Sequence, residues 1–130
     1  MTLMSFGKEQ KIGIKEIDDQ HKAIVDSVNH LYEIKDHEKK EILDSFNVLL
    51  SQLKNHFISE EIFMKEHKVL QFISHKLEHD RALSKYSDYY RKFKINKTPF
   101  DADILVSLKN WMENHLIKKD FQLQSYMTKN

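Results

Sequence analysis

The sequence predicts an all-α protein, an antiparallel up-down-up-down four-helix bundle with an N-terminal arm. Three observations lead there. Helix formers dominate a chain of 130 residues with two glycines (Gly7 and Gly13) and one proline (Pro99), far too little punctuation for hairpins or sandwiches. Apolar residues recur at helical spacing in four segments. Short polar stretches join those segments, and short connections favour antiparallel neighbours.

The first helical segment carries Ile17, Ile24, Val28 and Leu31, with Asp18 placed as its N-cap. The second runs through Ile42, Phe46, Leu49, Leu50, Leu53, Phe57 and Met64. A third runs from about Leu70 through Ile73, Ala82, Tyr86 and Tyr90 to Phe93, and a fourth through Ile104, Leu105, Leu108, Trp111 and Met112 to Leu116. The connections are "KDHEKKE" at 35–41, "KEHK" at 65–68 and "KINKTP" at 94–99, where Pro99 stops or starts a helix. Residues 1–15 read as an arm lying against the bundle through Phe6 and Ile14. The bundle spans about 16–120, and 121–130 form a C-terminal tail. The whole, 1–130, reads as a single domain: 40% hydrophobic and 32% charged residues suit one core of this size.

Composition narrows the chemistry. Lysine plus arginine (21) nearly cancels aspartate plus glutamate (20), so the net charge of +1 offers nothing for nucleic acid or a membrane surface. Cysteine is absent, which excludes disulfides, thiolate zinc sites, iron–sulfur clusters and cysteine nucleophiles; any metal must be held by nitrogen and oxygen. No apolar run approaches the roughly 18 residues of a membrane span, and the N-terminus lacks a secretory core, so a cytoplasmic location is expected.

Eight histidines are present, and bundle geometry sorts them. In an antiparallel hairpin, residues equidistant from the turn share one level. His21 and His56 are equidistant from "DHEKK"; "HFISE" (56–60) and "HKLEH" (75–79) from "EHKV"; and "HKLEH" and His115 from "KINKTPF". Each match is good to a few residues, or about 5 Å at roughly 1.5 Å of rise per residue. His21, His56, His75, His79 and His115 also extend the apolar stripes, whereas His30, His37 and His67 lie near turns or off the stripes and read as solvated. Glu60 follows His56 by four residues and shares its face, while Glu61 points elsewhere. Asp120 joins the layer if the fourth helix tightens or ends after His115.

A lone His-x-x-x-His on a helix is a weak signal, more often two solvated side chains than a metal pair. Convergence changes this weighing. Five imidazoles and two carboxylates in one buried layer would each cost on the order of 1–3 kcal/mol without partners. A metal centre removes the conflict. Seven side chains exceed one ion's needs but suit two ions bridged by carboxylates. If Glu60 and Asp120 both bridge, with a hydroxide or oxide as third bridge, the imidazoles divide three and two and one ion stays five-coordinate. Such a set suits iron, manganese or zinc. An open position on a redox-active ion in an apolar pocket is a place for a small molecule such as dioxygen.

In order and spacing, His21, "HFISE", "HKLEH" and "HLIKKD" resemble the haemerythrins, specifically the bacterial single-domain kind, over residues 21–120. The resemblance implies two iron ions with a bridging oxide or hydroxide: His75, His79 and His115 on the six-coordinate iron, His21 and His56 on the five-coordinate iron, and Glu60 and Asp120 bridging. It implies reversible binding of dioxygen as a hydroperoxide at the five-coordinate iron, for oxygen carriage, storage or delivery, and no enzyme activity. The alternatives are a di-iron redox protein acting on peroxide or nitric oxide, or an oxygen or iron sensor. The chain lacks Glu-x-x-His, the paired signature of ferritin-like di-iron enzymes. Ile24, Phe57 and Trp111, close in sequence to His21, His56 and His115, are candidates to line the oxygen pocket; singly, each is better explained as core. Relatives often carry a tryptophan in the arm and a Gly-Tyr-Pro corner between the second and third helices. Here Phe6 and Lys68-Val69-Leu70 stand instead.

Overall fold

A computed structural model describes residues 3–6, 11–115 and Leu123. Four helices account for most of them: α1 (Lys15–Glu33), α2 (Lys39–Glu66), α3 (Phe72–Lys94) and α4 (Asp103–Asn114), with no strand among the described residues. α1 packs on α2, α2 on α3, and α4 returns to α1, which closes a four-helix bundle. No helix among the described residues is long and apolar enough to cross a membrane.

The inward stripes are those of the sequence, with two exceptions. Leu70 and Ile73 are 89% and 73% exposed, so the buried face of α3 starts at His75. Leu70 lies in the connecting corner, and Ile73 faces away from the stripe of His75, His79, Ala82 and Tyr86, outside any helical face they share. Leu116, the expected end of the fourth stripe, lies outside the described residues.

Each end of the bundle is set by local chemistry. Asp18 is not the N-cap of α1, which is Ile14. It sits inside the first turn, and its carboxylate reaches back to accept the N–H of Ile12 (2.8 Å) and of Gly13 (3.1 Å), tying the incoming chain to the helix. Gly13 takes a positive φ of 88°, available to glycine without a Cβ clash. α2 ends in a Schellman motif: Val69 N–H bonds Met64 O (2.9 Å), Lys68 N–H bonds Lys65 O (3.3 Å), and Lys68 takes φ 52°. The corner therefore holds a lysine in the left-handed region. α3 ends the same way, with Asn96 at φ 65°, Lys97 N–H on Lys92 O and Asn96 N–H on Phe93 O. Tyr89 then fastens the α3–α4 connection, its hydroxyl donating to Pro99 O (3.1 Å) and accepting from Asp101 N–H (2.8 Å).

The described residues that precede α1 lie on the bundle. Phe6 packs against the main core and Ile14 against a smaller cluster of Met64, Val69 and Leu123; Met4 and Ile12 are buried as well. Asn29 of α1 holds the arm's backbone, its Oδ1 accepting from Leu3 and Met4 N–H (2.9 and 2.8 Å) and its Nδ2 donating to Met4 O (2.9 Å). Apart from buried Leu123, the expected tail lies outside the described residues.

Candidate metal centre

Toward the α2–α3 corner the inward stripes change from apolar to polar. α1 contributes His21, α2 His56 and Glu60, α3 His75 and His79, and His115 caps α4 with helical dihedrals. All six side chains are buried, with His21, His56 and Glu60 at 0% exposure. They converge on the Glu60 carboxylate. Its Oε1 lies 2.7 Å from His56 Nε2, 3.3 Å from His115 Nε2 and 3.6 Å from His79 Nε2, while Oε2 lies 3.5 Å from His75 Nε2. His21 Nε2 is 2.9 Å from His56 Nε2, and His79 Nε2 is 3.1 Å from His115 Nε2.

The ligand atoms fall into two sets that share one residue: Glu60 with His75, His79 and His115, and Glu60 with His21 and His56. Asp120, expected as a second carboxylate, lies outside the described residues, as does the stretch of chain that was expected to bring it in. His30, His37 and His67 are exposed; His37 pairs with Glu41, and His67 stacks on Phe63.

The outer faces of the rings show what the inner faces are for. His79 Nδ1 lies 3.0 Å from Glu61 Oε2 and His56 Nδ1 lies 3.1 Å from Gln20 Oε1, both acceptors, an arrangement that suits the tautomer with Nδ1 donating and the Nε2 lone pair inward. Lone pairs directed at one another and at a carboxylate repel, and a cation between them reverses the sign of the interaction. This nitrogen and oxygen donor set therefore fits a metal ion of the iron, manganese or zinc type.

Glu61 corrects the expectation that it points away. It is off the stripe of its own helix, yet it reaches across to α3, where its Oε2 meets His79 and its Oε1 stands 4.0 Å from Lys76 Nζ. The Lys76 ammonium is held above its ordinary pKa by a hydrogen bond to Asp80, with Glu61 adding to the effect. Gln20 was not singled out from the sequence, and Glu61 was set aside there. The available signal was their place next to His21 and Glu60, on the edges of helices that face a neighbour at the histidine level.

Aromatic rings line the layer. Phe57 lies flat on His79 (centroids 4.1 Å apart, planes 8° apart), and Trp111 lies flat on His115 (4.6 Å, 11°). The two rings meet edge to face at 5.6 Å. Phe6 of the arm approaches His21 at 6.2 Å, and Ile24 is fully buried in the core one turn along α1.

Residues 12–126 match the family model described as "Hemerythrin HHE cation binding domain". A Bacteriohemerythrin of Methylococcus capsulatus is 33% identical over 104 residues, 79% of each chain. One from Aquifex aeolicus is 32% identical over 120 residues, 87% of this chain and 88% of that one. Among solved structures, wild-type hemerythrin superposes with a TM-score of 0.91 at 28% identity, covering 97% of this chain and 98% of the other.

Proposed function

The chain belongs to the haemerythrin HHE cation-binding family, and on that premise we propose that it binds dioxygen reversibly at a non-haem di-iron centre, for carriage, storage or delivery rather than catalytic turnover. One observation carries the reading: five buried imidazoles divide three and two around a single shared carboxylate. In this proposal His75, His79 and His115 would hold one iron, His21 and His56 the other, and Glu60 would serve both. By its place in the sequence, Asp120 would supply the second carboxylate.

When bound, an iron pair with an oxide or hydroxide would supply reversible two-electron exchange with dioxygen. The chain's own residues do the rest. Neutral imidazoles outnumber carboxylates, so little anionic charge favours the ferric state and permanent oxidation is restrained. Phe57 and Trp111, flat against His79 and His115, exclude water and fix the ring planes; Ile24 closes the apolar side near His21. Glu61 and Gln20 keep two Nε2 lone pairs directed inward. The proposed setting is the cytoplasm, with dioxygen as the small-molecule partner.

Anaerobic reconstitution with ferrous iron, followed by metal analysis, is the first test, and fewer than two irons per chain would sink the di-iron reading. The second is the optical spectrum as oxygen is admitted and then removed. Return of the deoxygenated spectrum is expected. Permanent oxidation with turnover of peroxide or nitric oxide would assign the centre to redox chemistry instead.

A further inference from the structure

One histidine in each half of the centre meets a different kind of acceptor on its outer side. A carboxylate stands behind His79, with Glu61 Oε2 at 3.0 Å from its Nδ1, and Glu78 Oε2 lies at an ion-pair distance of 3.9 Å from His115 Nδ1. Behind His56 stands an amide, Gln20 Oε1 at 3.1 Å. Gln20 is itself held. Its Nε2 donates to Ser59 Oγ (2.9 Å), and Ser59 Oγ donates to Glu16 Oε1 (3.3 Å).

The order of these groups gives the row a direction. An ionised carboxylate only accepts, so Ser59 must give its proton to Glu16, and its lone pairs are then open to the Gln20 NH2 group. With its NH2 so engaged, Gln20 turns its carbonyl oxygen to His56. The ring proton is thereby kept on Nδ1 and the Nε2 lone pair is kept inward. The row starts at the exposed edge of α1, crosses to α2, returns to α1 and ends on a buried imidazole of α2. An acceptor fixed in this way removes the competing tautomer, in which His56 would present N–H to the metal position.

We propose that Gln20, oriented by Ser59 and Glu16, is the positioning residue for the His21/His56 half of the centre. We propose further that amide support at His56, against carboxylate support at His79, makes the His21/His56 position the more weakly held of the two metal positions. A carboxylate acceptor draws the Nδ1 proton more strongly than an amide oxygen and makes the opposite nitrogen a better donor. The asymmetry adds to that of ligand number, two imidazoles against three. The inference rests on the metal-centre reading, and the experiment separates the two.

Zinc, which is redox-silent, is titrated into the metal-free protein against a competing chelator, giving two binding steps. Gln20→Leu is expected to weaken the looser step alone by about tenfold or more, within the range found for outer partners of metal ligands. Ser59→Ala, which frees Gln20 to rotate, should weaken the same step less. Gln20→Glu should tighten it, and Glu61→Gln should loosen the tighter step. A general loss of packing would move both steps and lower the melting temperature of the metal-free protein, which Gln20→Leu is expected to preserve. If the wild-type protein takes up two zinc ions but Gln20→Leu leaves both steps within twofold, or Gln20→Glu fails to tighten the looser one, the inference is overturned and the metal centre stands. If the wild-type protein does not take up two ions, both fall.

Discussion

In the half of the bundle nearest the 34–38 and 95–102 connections, Phe46 sits among Tyr89, Tyr90 and Phe100 with ring centroids 5.7 to 6.4 Å apart. In the half nearest the 67–71 corner, inward positions of the same helices carry His56, Glu60, His75 and His79. α2 shows the transition along one stripe, Phe46, Leu49, Leu53, His56, Phe57, Glu60 and Met64. In the first half, removal of apolar surface from water suffices to hold the helices together. In the second, every inward polar group needs a partner, so the packing specifies directions as well as volumes.

The largest effect that separates the halves is expected from Glu60→Ala. It removes the carboxylate common to both sets, and iron after anaerobic reconstitution should fall below one per chain; His79→Ala should lower iron retention, while His37→Ala should leave it unchanged. In the dry half the converse holds. Phe46→Ala should lower the unfolding free energy by about 3–5 kcal/mol in a denaturant titration, without changing iron per folded chain.

Tyr86 lies between the halves, buried on α3 with its hydroxyl 3.1 Å from Ser107 Oγ. Tyr86→Phe should cost about 1 kcal/mol at neutral pH. Burial pushes the Tyr86 phenol above its ordinary value of 10.0, with the Ser107 hydrogen bond opposing in part. Above that ordinary value the unfolded chain releases a proton that the folded chain keeps, so stability falls as pH rises. Alkaline melting curves of Tyr86→Phe should decline less steeply than those of the wild type. The smallest effect belongs to the corner beside the metal half. Lys68→Gly should raise stability by about 0.5 kcal/mol, the left-handed strain relieved being partly offset by glycine's unfolded-state entropy.

The helices and the histidine layer were legible because both follow from spacing: one stripe per helix, and one level per turn midpoint. What spacing misses is contact made sideways. Glu61 is off the stripe of α2, and its role depends on where α3 places His79, which no periodicity within α2 contains. Asp18 carries the residue type of an N-cap, but its partners are Ile12 and Gly13 in the arm, whose path leaves no periodic trace. Leu70 and Ile73 look like a continuing stripe because hydrophobicity alone does not report where a helix begins.

The Asn29 clasp separates the motions of the arm from those of the bundle. Leu3 and Met4 donate their N–H groups to one side-chain amide, so releasing them breaks no helix hydrogen bond. Opening at Leu3 and Met4 would leave α1 to α4 folded, a local equilibrium distinct from global unfolding. In deuterated solvent the Leu3 and Met4 amides should exchange well before those of Leu49 and Leu53 in the middle of α2. Their protection then measures the stability of the Asn29 clasp apart from that of the bundle.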